Sequence, residues 1–364
     1  MPPTTDRKSL QGALVGFCNP LLDISATGTE ALLEKYGLDA DSQILAEEKH
    51  KGIYDDLINS YNPDFLVGGA GQNTLRGAQR LLPSNSTIFF GAVGKDENAQ
   101  RLKDAATRDG LRVQYMETPD VKTGVCAVCV TGHKRSLCTD LLAANTYDVS
   151  HVKQAENWKI IEDAKFYYVT GYFFTVSPET IETVAKHSLE AKKTFIINLS
   201  APFVPEFYTE NVRKTIPYVD ILFGNESEAK AFSKSFGFET DNIEKIAHLI
   251  AHMPKHDTSR PRVVIITQGA DSTIVATQNS DDIQTFPTNP IPSEEIADTN
   301  GAGDAFSAGF LSQFVLGRSF VDSIEAGNWL AGKVIREVGP TYPEQDLVFE
   351  PTGKLTPSVK SISA

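Results

Sequence analysis

The chain has 364 residues, 41% hydrophobic and 22% charged, with 26 Gly and 19 Pro. That length builds a large core without disulfides, and the composition excludes collagen-like, low-complexity and disordered chains. With 34 basic against 47 acidic residues the formal charge is −13, a field that repels nucleic-acid backbone and anionic membrane surfaces, so neither is an expected partner.

Arg7 and Lys8 precede a short apolar run, Ala13 to Phe17, that gives way to Asn19, Pro20 and Asp23. The run is too short for a secretory leader and reads as a first strand. Asp23 at its exit is a turn residue, or a carboxylate able to accept two hydrogen bonds from the vicinal hydroxyls of a sugar. Residues 21–63 and 121–142 alternate polar and apolar side chains, a pattern expected of antiparallel strands outside the main sheet. They read as a lid made of two insertions. The cluster Val67-Gly-Gly-Ala-Gly-Gln-Asn73 precedes a helix expected over Thr74 to Leu82. It is only loosely a dinucleotide fingerprint, because Thr74 stands at the third glycine position. Gly91 to Asp96 follows a strand expected over Thr87 to Ala92 and imitates a phosphate-binding Walker loop. It fails as one, since Phe89 replaces the first glycine and Asp96 the Ser/Thr that would hold magnesium. A helix follows over Asn98 to Asp109.

Four cysteines, at 18, 126, 129 and 138, are too sparse for a disulfide framework and suit a reducing compartment. Cys126 and Cys129 fall in a strand-like run, where positions three apart face opposite ways, so no shared metal is expected. Strands over Phe166 to Thr170, Thr194 to Leu199, Val219 to Phe223 and Val263 to Thr267 alternate with helices over Pro178 to Ala191, Ser227 to Phe236 and Asn242 to His252. That alternation is the α/β signature. Gly224-Asn-Glu-Ser-Glu228 opens a helix after a strand, with oxygen ligands that suit magnesium or simply favour a helix start. His248, His252 and His256 are spaced four apart, but Pro254 interrupts the helix and no acidic or thiol ligand joins them in sequence, so a solvated face is expected.

The strongest local signal is Asp298-Thr-Asn-Gly-Ala-Gly-Asp304, leading into a helix over Ala302 to Val315 and then another over Val321 to Val338. Gly301 and Gly303 allow a tight turn, and the helix presents free N–H groups and its positive end: an anion hole. Asp304, stabilised as a carboxylate there, can take a proton from an alcohol attacking phosphorus. A plain Gly-rich turn before an acidic helix start is the competing reading.

Together these stretches resemble the ribokinase (PfkB) family of carbohydrate and nucleoside kinases. The likeness runs almost end to end: Gly16 to Ser25, Gln43 to Glu47, Gly68 to Asn73, Thr175 to Glu179, Asn198 to Phe203, Pro217 to Glu226, Thr267 to Gly269 and Asp298 to Asp304. It implies a three-layer α/β/α core with a mostly parallel sheet, over residues 1–20, 64–120 and 143–364, plus a small β-rich lid from 21–63 and 121–142. The implied activity is magnesium-dependent transfer of the ATP γ-phosphate to the ribose 5′-hydroxyl of adenosine, with lid closure excluding water.

Carried over position by position, Asp304 resembles the base, and Gly301, Ala302 and Gly303 the anion hole, with Asn300 beside them. Asp23, Asn73 and Gly69, flanked by Asn19 and Gly68, resemble the ribose clamp. Phe173 resembles the aromatic residue stacked on adenine, with Gln43, Cys126 and Leu137 lining that side from the lid. Arg135 resembles a lid arginine reaching the phosphates, Asn225 and Glu228 the pair that organises Mg2+, and Thr267, Gly269 and Asn328 the ATP border. Ala70-Gly71 stands where Ser-Thr is expected, Cys138-Thr-Asp140 where a less polar run is expected, and Asn328 where a His is expected. A kinase for another nucleoside or sugar, or an inactive nucleotide-binding regulator, is the alternative. The expected setting is a monomer in the cytoplasm, with the nucleus as a second compartment.

Overall fold

A computed structural model describes residues 10–362 except 41, 133, 344 and 346; Arg7 and Lys8 lie outside them. Among the described residues fifteen strands occur in chain order: β1 (Leu14–Phe17), β2 (Leu21–Thr27), β3 (Gln43–Leu45), β4 (Asp64–Gly68), β5 (Thr87–Gly94), β6 (Arg112–Thr118), β7 (Val125–Thr131), β8 (Lys134–Asp140), β9 (Phe166–Thr170), β10 (Thr194–Asn198), β11 (Ile221–Asn225), β12 (Val263–Gln268), β13 (Asp271–Thr277), β14 (Asp282–Phe286) and β15 (Ser358–Ser361). Ten form one sheet in the order β15-β14-β13-β12-β11-β10-β9-β1-β5-β6. It is parallel from β6 to β12 and antiparallel beyond. Its central strands, such as β1, β5 and β9, are buried on both faces. That explains their unbroken apolar runs, because a parallel sheet is covered by helices on either side. One core packs around Phe17, Phe90, Tyr167, Phe195 and Phe232, the other around Phe89, Tyr168, Phe306 and Phe310.

The second sheet has the order β3-β8-β7-β2-β4. Three differences from the sequence expectations stand out. Its pairings are mixed, with β2 parallel to β7 and β3 parallel to β8, since the sheet is assembled from separate insertions rather than from one hairpin series. It also carries the helices Glu30–Tyr36 and Gly52–Ser60, whose Leu32, Leu33, Ile53 and Leu57 build a small core of their own under the sheet. Finally, β4 pairs antiparallel with β2 here, so residues 64–68 belong with this sheet and not with the large unit assigned to 64–120.

The helix expected from Thr74 starts at Ala70, directly after Gly69, whose φ of +89° is open to glycine. Gly71 sits inside its first turn because a Cβ there would lie 2.4 Å from the Cys18 Cβ. The last helix ends earlier than expected, at Val334. Among the described residues no helix is long and apolar enough to cross a membrane.

Candidate active site

The parallel strands of the large sheet finish on one edge, and Asn19, Asn198, Asn225 and Thr267 stand at or just past those ends. A cavity of about 370 Å³ opens there, walled on the other side by residues of the smaller sheet. Such an edge is where open α/β sheets bind ligands, because the helices that follow the strands point their N-termini into it.

The floor is the start of the helix Ala302–Val315. Gly301 caps it at φ +79°, packed so closely that a Cβ would lie 2.7 Å from Pro340. Ala305 N–H returns to the Gly301 carbonyl at 2.8 Å, while Gly303 and Asp304 have no intrahelical acceptor for their own N–H groups. A Cβ on Gly303 would meet nothing within 4 Å, so the helix end is open to a ligand. Gly301, Ala302, Gly303, Asn300 and Asp304 all border the cavity, as the signature implies. Burial pushes the Asp304 carboxyl up to about 7, opposed by the Asn73 Nδ2 donor 3.2 Å from its Oδ2.

Asn19, Asp23, Gly69 and Asn73 line the adjoining wall. Burial, and then the charge of Asp304, raises Asp23 to about 7. Gly68 lies behind this carboxylate, where a Cβ would come within 2.1 Å of Asp23 Oδ1. The Oδ1 atoms of Asn19 and Asn73 and Nη1 of Arg135 are buried without a hydrogen-bond partner in the structure. Unpaired buried polar atoms are costly, so three around one cavity mark positions that a polar ligand would satisfy.

Gln43, Cys126 and Leu137 reach the cavity from the smaller sheet. Cys126 faces it while Cys129 packs into the core under the sheet, the opposite orientations expected of a strand. All four cysteines are free and buried. Arg135, on β8, crosses to pair with Asp298 of the large unit. Asp298 is 2% exposed at its side chain and also accepts the Asn300 and Gly339 N–H groups, each at 2.7 Å. One carboxylate therefore ties the turn before the open helix terminus to the arginine above it.

Asn225 and Glu228 form a reciprocal cap on the helix Glu226–Phe236: Glu228 N–H donates to Asn225 Oδ1 at 2.9 Å, and Asn225 N–H to Glu228 Oε2 at 3.0 Å. Burial lifts Glu228 to about 7, helped by the charges of Glu226 and Asp304 and opposed by the backbone donors of Asn225 and Ser200. Asn225, Glu228 and Thr267 all border the cavity.

Four expected residues do not: Gly68, which sits behind Asp23, and Phe173, Gly269 and Asn328. Phe173 is fully buried, packed against Tyr147 and Phe17 at centroid distances of 5.2 and 6.1 Å. Gly171–Thr175 is a 3₁₀ turn, which aims neighbouring side chains in different directions and gives the cavity to Tyr172 instead. The Tyr172 hydroxyl donates to Gln43 Oε1 at 2.7 Å and lies 2.9 Å from the Ser200 carbonyl. A tyrosine has the polar end that suits a cavity rim, and that chemistry was the available signal. Gly269 occupies the exposed turn after β12, and Asn328 lies on the helix Phe320–Val334; neither borders the cavity. Asn198, Ser200 and Ser307 do line it without having been singled out as site residues. Ser200 has φ +69°, an uncommon conformation for a serine, held by its own N–H to Asn198 Oδ1 at 2.9 Å.

A Gly-bounded helix terminus, a half-buried carboxylate beside it and a second sheet over both make up a phosphoryl-transfer site of the small-molecule kinase class. Residues 30–347 match the profile of the pfkB family carbohydrate kinases, and the chain belongs to that family. Adenosine kinase 1 of Arabidopsis thaliana is 44% identical over 335 residues, 92% of this chain and 97% of that protein. The adenosine kinase of Schizosaccharomyces pombe is 43% identical over 332 residues, 91% and 96% of the two chains. Among solved structures, Anopheles gambiae adenosine kinase in complex with P1,P4-di(adenosine-5) tetraphosphate matches with a TM-score of 0.89 and 44% identity, covering 92% of this chain and 99% of that one. Schistosoma mansoni adenosine kinase in complex with 2-fluoroadenosine also matches at 0.89, with 34% identity over 92% and 98%. The fold and family expected from the sequence are those of these structures.

Proposed function

We infer that this chain is an enzyme that transfers the γ-phosphoryl group of ATP to the 5′-hydroxyl of adenosine, giving AMP and ADP. The observation that carries the reading is Asp304, half-buried at an open helix N-terminus inside a cavity walled by both sheets. The relatives named above add the identity of the acceptor.

In this reading the ribose hydroxyls donate to the Asp23 carboxylate and to the unpaired oxygens of Asn73 and Asn19, which ends their burial without partners. The Tyr172 ring carries the base, and Gln43, Cys126 and Leu137 close over it. The 5′-hydroxyl then faces Asp304. As its oxygen bonds to the γ-phosphorus, the proton passes to the Asp304 carboxylate and the bond from phosphorus to the ADP oxygen breaks. The N–H groups of the first turn stabilise charge on the phosphoryl oxygens, and Arg135 answers it from above. The smaller sheet excludes water, favouring transfer to the alcohol over hydrolysis.

Magnesium fits the donor set: Glu228 is buried, and among the described residues no basic side chain is bonded to the cavity's carboxylates, Asp23, Glu228 and Asp304. Both Glu228 oxygens already accept from Asn225, so these two residues would hold the ion through water. The chemistry such an ion supplies when bound is neutralisation of phosphate charge. Asn225 and Thr267 mark the triphosphate side. The closing unit we propose is residues 21–63 and 121–142 with β4 added, in a monomer working in the cytoplasm and nucleus.

Ala70 lines the cavity with no hydroxyl to offer a sugar, so acceptor choice is the point to test. Specificity constants should be compared for adenosine, inosine, guanosine and ribose. Adenosine is expected to exceed the others; a preference for ribose would overturn the assignment while leaving the phosphotransfer chemistry intact.

A further inference from the structure

At the antiparallel end of the large sheet the helix Ile243–Ala251 packs on β12 and β13. His248 lies in its last turn and His252 caps it, with ring centroids 4.1 Å apart. The sequence provides no third ligand near them, but the turn between β13 and β14 does. It brings Asp281 Oδ1 to 3.8 Å from His248 Nε2, and one donor atom from each of the three residues lies within 4.8 Å of the other two. The separation of 3.8 Å is too long for a hydrogen bond between these two atoms.

The tautomers suit a metal. His252 Nδ1 is 2.9 Å from the His248 carbonyl oxygen. A carbonyl only accepts, so Nδ1 carries the proton and Nε2 keeps its lone pair, the arrangement metal-bound histidines use. His248 Nδ1 has no hydrogen-bond partner in the structure, leaving the ring free to hold its proton there and offer Nε2. Zinc bonds of 2.0–2.1 Å place tetrahedral donors about 3.3 Å apart, a spacing that small side-chain rotations reach. His252 and Asp281 are exposed, so water can complete the shell.

We propose that His248, His252 and Asp281 form a site for a late first-row divalent cation, Zn2+ in the first place. Two imidazoles and one carboxylate favour such an ion over Mg2+ or Ca2+. It would staple the helix to the β13–β14 turn and to the C-terminal segment, whose Ile362 N–H donates to the Asp281 carbonyl at 2.9 Å and whose Lys360 pairs with Glu244 of the same helix. The site is remote from the reaction: Val263, at the near end of β12, pairs with Thr277 beside this turn, whereas Thr267, toward the far end, borders the catalytic cavity.

The test is calorimetric titration of Zn2+ into tag-free, chelator-stripped full-length protein in excess Mg2+, beside His252→Ala and Asp281→Asn. One Zn2+ per chain is expected for the wild type. Loss of a ligand costs at least what loss of an outer-shell partner does, so each variant should bind roughly 10- to 100-fold more weakly. Zinc should raise the thermal midpoint of the wild type and not that of the His252→Ala, Asp281→Asn double variant, with AMP formation equal in all. Cu2+ in the same site should show couplings from two nitrogens by electron paramagnetic resonance, and from one in His252→Ala. Equal Zn2+ affinity in the wild type and the double variant, or an oxygen-only Cu2+ signal, would overturn the proposal.

Discussion

Removing Asp298 should cost far more stability than removing the arginine it pairs with. Asp298→Ala deletes three charge-assisted contacts at once: the Arg135 guanidinium, the Asn300 N–H and the Gly339 N–H. Arg135→Ala deletes only the first, and its carboxylate keeps two backbone donors. Each hydrogen bond to a charged group contributes roughly 1.5–3 kcal/mol. Arg135→Ala is therefore expected to lose at most about 1.5–3 kcal/mol and Asp298→Ala about 4.5–9 kcal/mol. Part of the arginine's loss is recovered, because it lines the cavity and water can take its place. Urea unfolding at constant m, with the midpoint converted to free energy, measures both. Both variants should also lower kcat, through a displaced anion-hole turn in one and a missing cation in the other. Equal destabilisation would refute the argument, since it would mean that the ion pair across the sheets, and not the backbone anchoring, holds this turn.

Three further outcomes are expected. Asp304 must be unprotonated to act, and burial raises it to about 7, so kcat/KM for adenosine should fall as pH drops below about 7 and level off above about 8; Asp23 and Glu228 titrate in the same range and make the apparent value a property of the set. A profile flat from about pH 5.5 to 8 would contradict this. Tyr172→Ala should raise KM for adenosine roughly 5- to 150-fold, the worth of one stacked base, while Phe173→Ala should instead destabilise the fold by about 3–5 kcal/mol as a core truncation. Gly68→Ala would place a Cβ 2.1 Å from Asp23 Oδ1, so the carboxylate must move; KM for adenosine should rise at least about tenfold, the value of one charged hydrogen bond, and an unchanged KM would remove Asp23 from the sugar clamp.

What was legible in the sequence follows from what is local. The open helix start at the cavity could be read because two glycines, an acidic residue and an apolar helical run are adjacent at 301–311. The central parallel strands could be read because burial on both faces makes them apolar throughout. The misses are of a different kind. Phe173 and Tyr172 are neighbours of equal bulk, and only the 3₁₀ turn at Gly171–Thr175 decides which one faces the cavity. The role of Asp298 as anchor depends on Gly339 and Arg135, distant in sequence on either side. Short edge strands such as β15, exposed throughout, carry no hydrophobic period to find. Asp281 joins His248 only because a hairpin turn folds back on a helix.

The most direct measurement is transfer of labelled γ-phosphate from ATP to adenosine by the wild type and by Asp304→Asn, with Mg2+ present and then chelated. Asparagine leaves the cavity filled and removes the base, so AMP formation should fall by roughly 10²- to 10⁴-fold while adenosine still binds. Chelation should abolish transfer in the wild type. Labelled AMP formed at an undiminished rate by the variant would contradict the assignment of Asp304 and, with it, the mechanism built on the helix terminus.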